Sequence, residues 1–466
     1  LLARADYFAG IINTLLLAGI LWAGARVARL LPVRAGLVVA NVACASLLAC
    51  TVYITAHVVW PDAFWLAGAS MRATLLVGVG CLAAVTVAAI RWPRLMARAM
   101  VQIALSLLPF AAMTFGQTLW RAATHSPRPT FASLPAGKAL APGATRRSRP
   151  RVVVLLYDEM DQRLAFTGRA ADLDLPELDR LCAETVACSQ AFPPARDTAQ
   201  SVPAMLTGRL VGSARTLHSG DIRVAFAGET RPHRLSQGRT FLHDAREMGC
   251  RSAISTGVLP YERLVAAQAD YVSPRLPQRH APSLSFAVWR QWQRAVCSLP
   301  LAKRLRMAQR LPTAADLNAC IRGFEGFMRD TTHLLHAEQF DLVWVHFPTP
   351  HDPPFYDRSR GVYSDAGSPA LSYLDSLALV DRTLGELRSA LEAAGLWDST
   401  TLLLLSDHWY RDSPIAAGQK RDHRVPYILK LPGQRRGLRY DKPFNSVVTH
   451  DLILALLRGE VTQPEE

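Results

Sequence analysis

Four long apolar runs crowd into the first 120 residues: Tyr7–Ala25, Ala35–Trp60, Ala73–Ile90 and Ala99–Trp120. Each is long enough to cross a hydrocarbon core of roughly 30 Å as a helix. Each is edged by arginine or an aromatic side chain, the residues that settle at a membrane–water interface. A cleaved secretory leader does not explain four runs in succession. A chain that opens this way folds either in a bilayer or around a core far larger than 466 residues supply, and the expectation is a transmembrane domain of four helices over residues 1–120.

The loops between the runs give an orientation. Arg26, Arg29 and Arg34 sit in the first and Arg91, Arg94 and Arg98 in the third, whereas the second carries Arg72 against Asp62. Cytoplasmic loops collect Lys and Arg, so the start of the chain and everything after Trp120 are expected outside. The chain opens at Leu1, and a preceding span absent from this sequence would reconcile an outward start with insertion. The segment 121–150, rich in Pro, Ala, Ser and Arg, reads as a tether; it is also basic, but charge governs long translocated domains only weakly.

The mean hydropathy of +0.10 therefore averages two unlike parts. The net charge of +14 suits anionic head groups or phosphorylated substrates as well as it suits a plain arginine-rich composition. No arginine–aromatic pattern points to nucleic acid. Cys44, Cys50 and Cys81 fall in the apolar runs, and Cys182, Cys188, Cys250, Cys297 and Cys320 in the remainder. The latter could pair in an oxidising compartment, but there is no CxxC for a cysteine metal site. The oligomeric state is not legible.

From Arg151 the pattern changes. Val152–Tyr157, Asp341–His346, Thr400–Leu405 and Val425–Leu431 are short unbroken apolar runs, as buried parallel strands are. Helical patterns separate them, notably Ala370–Ala394. The expected fold is α/β, a doubly wound and mostly parallel sheet over residues 151–466. Such sheets bind ligands beyond the carboxyl ends of their strands. The acids Asp158 and Glu159 follow the first run, Asp407 and His408 follow the third, and His351 and His423 lie beside the second and fourth. Buried carboxylates are costly unless a cation or donor meets them. Carboxylate with imidazole suits zinc, then manganese. Thr198 and Ser201 stand at the start of a helix-like segment, where each could cap, and where an anion would be welcome. A metal could make either hydroxyl a nucleophile.

The segment Thr198-Ala-Gln-Ser201-Val-Pro203 resembles the T-A-x-S-V-P motif of phosphoethanolamine transferases. The longer stretch to Thr207-Gly208 is similar to the sulfatase signature C-x-P-S-R-x-x-L-x-T-G, with Thr198 at the cysteine position. No cysteine stands there, so formylglycine chemistry is not expected. Ser201 fits a loose serine form of the same signature, but the register of Leu206-Thr207-Gly208 favours Thr198. The resemblance, to the alkaline-phosphatase/sulfatase superfamily, spans about Arg151 to Gly459. It implies Thr198 as nucleophile; Asp158 or Glu159, Thr198, Asp407 and His408 as metal ligands; and His351 and His423 as substrate-side residues, with His351 also a candidate proton donor. It further implies a lipid or glycan phosphoester as substrate, such as a phospholipid head group moved to an envelope acceptor, at the outer face of a bacterial-type inner membrane. His218, His346, His450, Lys420 and Arg421 are lesser candidates, expected to be structural or solvated.

Overall fold

The computed structural model describes residues 4–59, 71–124, 149–217, 220–273, 284–285, 288–289, 291–292, 314–364, 372–412 and 421–465. The chain divides into two compact units. One comprises residues 1–128 with 279–311; the other comprises 129–278 with 312–466.

Among the described residues the first unit includes four long helices: α1 (Arg4–Ala28), α2 (Val33–Val59), α3 (Met71–Arg91) and α4 (Pro93–Thr124). Tyr7–Ala28 and Pro93–Thr124 are long and apolar enough to cross a membrane, with mean hydropathies of 1.8 and 1.6; Val33–Ala49 is a shorter apolar stretch. The third basic loop expected from the sequence is not a loop. Trp92 alone separates α3 from α4, and Arg94 and Arg98 lie in the opening turns of α4. Pro93 explains the early start, because a first-turn proline gives up only an N–H that has no helical partner. Leu15, Ile20, Trp22, Leu105, Leu108 and Phe110 are all exposed on these helices. An apolar surface so continuous is suited to lipid rather than water. Within this unit the Asn13 amide donates to Val288 O at 3.2 Å and to Gln291 Oε1 at 3.0 Å, so a stretch far along the chain belongs with the helices.

The second unit is built on an eight-stranded sheet ordered β14-β2-β13-β12-β1-β9-β7-β8. Its strands are β1 (Arg151–Asp158), β2 (Val186–Cys188), β7 (Ser252–Thr256), β8 (Tyr271–Val272), β9 (Leu342–Pro350), β12 (Thr400–Ser406), β13 (Tyr427–Lys430) and β14 (Leu438–Tyr440). Among the described residues, three small sheets lie outside it, pairing β3 (Ala191–Phe192) with β15 (Phe444–Asn445), β10 (Tyr356–Asp357) with β11 (Val362–Tyr363), and β4 (Val211–Thr216) through β5 (Ile222–Phe226) to β6 (His233–Arg234). β1 runs parallel to both β12 and β9, and β7 runs parallel to β9 and β8. The reading of Val425–Leu431 as a strand holds for Tyr427–Lys430, but β13 runs antiparallel to β12.

Side-chain alternation explains why the central strands read as solid apolar runs. Val152, Val154 and Leu156 of β1 face one core with Trp344, Leu403 and Leu405. Val153, Leu155 and Tyr157 face the other with Val343, Val345, Leu402 and Leu404. Helices cover both faces. α6 (Thr198–Thr207), α7 (Phe241–Glu247), α8 (Tyr261–Leu264) and the helix Thr449–Arg458 supply the first core; α5 (Pro176–Glu184) and the helices Ala314–His336 and Tyr373–Ala393 supply the second. Burying each Val or Leu in such a position stabilises the fold by about 1.5–3 kcal/mol. The helix expected over Ala370–Ala394 is described from Tyr373 to Ala393 and is opened by a capping box between Ser372 and Asp375; residues 370 and 371 lie outside the described residues.

Cys44, Cys81, Cys182, Cys188 and Cys250 are free. Burial pushes the Cys182 thiol up to about 11 and Cys188 up to about 12, so both are poor nucleophiles at neutral pH.

Candidate metal centre and nucleophile

The site gathers at the carboxyl ends of β1 and β12. Parallel pairing of Tyr157 with Ser406 sets the two strand ends level. The Ser406 hydroxyl lies 2.9 Å from both Tyr157 O and His408 O and accepts from Met160 N at 2.8 Å. It thus ties both strand exits into one rim. Glu159 is the one non-glycine residue with positive φ among those described, at 72°. That conformation costs roughly 1 kcal/mol, and here the Glu159 N–H is held on Asp407 Oδ1 at 3.0 Å while Tyr373 donates to its carbonyl at 2.8 Å.

Asp158, Asp407 and His408 are buried and bring one ligand atom each within 4.8 Å of one another. His408 Nε2 lies 3.6 Å from Asp158 Oδ1 and 3.7 Å from Asp407 Oδ2. Its Nδ1 is 3.0 Å from Trp409 O; a carbonyl only accepts, so Nδ1 carries the proton and Nε2 offers a lone pair to the cluster. Asp407 Oδ1 accepts from the backbone N–H groups of Glu159 and His408, but Oδ2 is buried with no hydrogen-bond partner. A buried carboxylate oxygen beside a second carboxylate and an imidazole lone pair fits a divalent cation. Desolvation first, then the Asp407 charge, hold Asp158 well above the usual carboxylate range, as expected of ligands read without their cation.

Thr198 is the first residue of α6. Its hydroxyl donates toward Asp158 Oδ1 at 3.4 Å and lies 3.3 Å from His408 Nε2. Asp197 precedes it in extended conformation and caps nothing with its side chain; instead Oδ1 takes a bond from Arg411 Nη1 at 3.1 Å. Ser201, the other hydroxyl of the motif, is fully buried, accepts from Ala195 N at 3.1 Å and donates to Ala195 O at 3.0 Å. It closes the turn ahead of the helix and does not reach the cluster. The helix ends at Gly208, whose φ is 68°. A Cβ there would meet His450 Cγ at 3.0 Å. Gly208→Ala should therefore destabilise the second unit by about 1–2 kcal/mol, read as a lower melting temperature; an unchanged melt would contradict the close packing against His450.

The remaining expected residues divide. Glu159 is turned away from the cluster, with Oε1 bonded by Arg411 Nε at 2.8 Å and Arg411 N at 3.2 Å. His351 faces the same pair, with Nε2 3.6 Å from Glu159 Oε2 and 3.4 Å from Arg411 Nη2. His423 stacks on Trp409, ring centroids 4.1 Å apart; because β13 is reversed, this residue just before it reaches the rim where β1 and β12 end. His346 is buried in β9; Trp344 Nε1 and His346 Nδ1 both lie 3.0 Å from the Tyr261 hydroxyl, and burial pulls the imidazole down to about 4, keeping it neutral. His450 is held by Asp451 and Asp244, and Arg421 is exposed. His218 and Lys420 lie outside the described residues. Arg411 was not anticipated: three residues past His408, it reads in sequence as a solvated loop charge. The only hint is an excess of acids at this rim.

Residues 326–458 match the sulfatase family. The sulfatase-matching stretch takes in His346, His351, Asp407, His408, Arg411 and His423, and leaves Asp158, Glu159 and Thr198 outside it. No curated protein matches the chain. Among solved structures, a sulfatase from Pseudoalteromonas sp. aligns at 17% identity over 67% of this chain and 69% of that one, with a TM-score of 0.46. The phosphonate monoester hydrolase of Agrobacterium radiobacter aligns at 16% over 68% and 78%, with a TM-score of 0.42. A protein of the alkaline phosphatase superfamily from Vibrio parahaemolyticus aligns at 15% over 67% of each, with a TM-score of 0.44.

Proposed function

We propose that this chain is a sulfatase-like, metal-dependent esterase of the alkaline-phosphatase superfamily, held at a membrane by its apolar helices, and that Thr198 attacks the phosphorus of a phosphoryl-type ester. The observation that carries this reading is the Thr198 hydroxyl within 3.4 Å of both Asp158 Oδ1 and His408 Nε2, beside the unpartnered Asp407 Oδ2. Asp158, Asp407, His408 and the Thr198 hydroxyl would hold the ion, zinc first and manganese next; it would supply Lewis acidity that lowers the proton affinity of the hydroxyl.

The chain's own residues do the rest. The opening turn of α6 carries backbone N–H groups and the positive end of the helix dipole, which favour an anionic group at Thr198. Attack forms the Oγ1–P bond and breaks the P–O bond to the leaving alcohol, the Thr198 proton passing to solvent. In this reading His351, partly exposed and across from Glu159, hands that alcohol a proton. His423 walls the rim from the β13 side. A second hydroxyl or water then releases the group from Thr198. The apolar helices favour a lipid head-group donor and transfer to an envelope acceptor on the outer side over hydrolysis alone; nucleic acid is not a partner in this reading.

The test is direct. The zinc-loaded protein in detergent micelles is expected to cleave a 4-nitrophenyl phosphate ester faster than 4-nitrophenyl sulfate, to lose the activity to a chelator and to regain it with zinc or manganese. Turnover of the sulfate ester alone would sink the phosphoryl reading, and indifference to chelation would sink the metal. Mass spectrometry of membrane lipids and glycans with and without the protein then separates free head group from head group on an acceptor.

A further inference from the structure

The arginines of the first unit gather at one end of its helices. α1 ends at Ala28 and α2 begins at Val33; α3 ends at Arg91 and α4 begins at Pro93. The buried Asn41 of α2 donates from its side-chain amide to Pro93 O at 2.9 Å, and Arg34 Nη2 donates to Ile90 O at 3.4 Å. These bonds fasten the two helix junctions to one another. In and beside the junctions stand Arg26, Arg29, Arg34, Arg91, Arg94 and Arg98, whereas the acids of the first 120 residues, Asp6 and Asp62, fall in neither junction. The local charge is positive and has no carboxylate in the junctions to offset it.

A cavity of about 460 Å³ opens here, lined by Arg34 and Arg94 together with Val33, Leu37, Trp92 and Leu95. Its chemistry is divided. Two guanidiniums offer forked N–H donors, which suit the oxygens of a phosphate. Val33 and Leu95 are 77% and 64% exposed, apolar side chains left open on the same cavity. Arg91 Cζ lies 5.9 Å from the Trp92 ring centroid, and an indole beside a cation is suited to the head-group level of a bilayer. A free phosphate would leave the apolar walls bare. A choline lipid would bring a cation toward the arginines. An amphiphile with a net negative phosphate at one end and hydrocarbon at the other satisfies both parts, as anionic head groups do in basic pockets between membrane helices. Resting on the reading that these helices lie in a bilayer, we infer that this cavity binds an anionic glycerophospholipid, its phosphate between Arg34 and Arg94 and an acyl chain along Leu37 and Leu95. The site belongs to the first unit, whereas the metal centre belongs to the second.

The experiment uses the full chain in detergent, with native mass spectrometry reading retained lipid while phosphatidylglycerol or phosphatidylcholine of the same acyl chains is titrated. The wild-type protein is expected to hold one phosphatidylglycerol at least ten-fold more tightly than phosphatidylcholine. Arg34→Gln combined with Arg94→Gln should reduce that preference to about three-fold or less. Arg26→Gln combined with Arg29→Gln removes the same charge outside the cavity lining and should keep most of it. Arg34→Lys with Arg94→Lys keeps charge without the fork and should fall between, and it carries the comparison if the glutamine pair does not fold. Inorganic phosphate at the lipid's concentration should displace nothing. Equal affinity for the two lipids, equal loss from both glutamine pairs, or displacement by free phosphate overturns the proposal. Turnover of the phosphate ester, measured on the same samples, is expected to survive any of these results. A chain that fails to enter phosphatidylglycerol vesicles at all removes the membrane reading along with the site.

Discussion

Thr198→Ala is expected to lower turnover of the phosphate ester by roughly 10³-fold or more, since an attacking group removed from a concerted site is not replaced by its neighbours. Zinc affinity should weaken far less, because Asp158, Asp407 and His408 hold their positions through contacts that do not involve Thr198: the strand pairing of β1 with β12, the Ser406 bonds and the backbone N–H groups on Asp407. The methyl group of alanine also leaves α6 intact, because the turn ahead of it is closed by Ser201 and Ala195. Thr198→Ser should retain part of the activity. A Thr198→Ala protein that turns over at the wild-type rate ends the nucleophile assignment; Ser201 could not inherit it, being fully buried.

Asp407→Asn should separate function from stability in the opposite direction. The amide oxygen can still accept the Glu159 and His408 N–H groups, so the backbone of the rim persists, but the second carboxylate oxygen is lost from the cluster. Zinc affinity is expected to fall about 100-fold or more, at the upper end of what ligand-level changes do, and turnover with it. Without metal, the same variant should melt at a higher temperature than wild type. The reason is Asp158, whose folded-state affinity for protons is raised by burial and by the Asp407 charge. A carboxyl raised in the folded state is accommodated best when protonated, so the metal-free wild type should lose stability as pH climbs above the ordinary carboxylate value near 4. Asparagine relieves the charge part of that penalty and zinc relieves it in the wild type. Thermal melts of both proteins between pH 4 and 8, with chelator and with zinc, read this directly. A metal-free wild type that gains stability over that range would show the cluster to be no strained ligand set.

The sequence exposed the sheet because its central strands are buried on both faces, and a strand with no solvent side has no polar residues to interrupt the run. Direction is another matter. Nothing in Val425–Leu431 distinguishes a parallel from an antiparallel strand, and only the pairing of Leu405 with Tyr427 reveals the reversal. Asp158, Asp407 and His408 were legible because ionisable residues directly after apolar strands are costly without a purpose. The choice between Asp158 and Glu159 was not, since it hangs on one positive φ and one arginine. Arg94 and Arg98, basic enough to suggest a loop, lie in a helix because Pro93 starts it.

The reversal of β13 reaches beyond the present site. Because it returns alongside β12, the connection between them leaves and re-enters the sheet at the same end of the strands, bearing Asp407, His408, Trp409, Arg411 and His423. Such a connection can be lengthened, shortened or exchanged without rethreading the core, at a closure cost that grows only slowly with length. It is a natural cassette: a graft between Trp409 and His423 that respects Arg411 could redirect the choice of substrate while the framework beneath goes on folding as before.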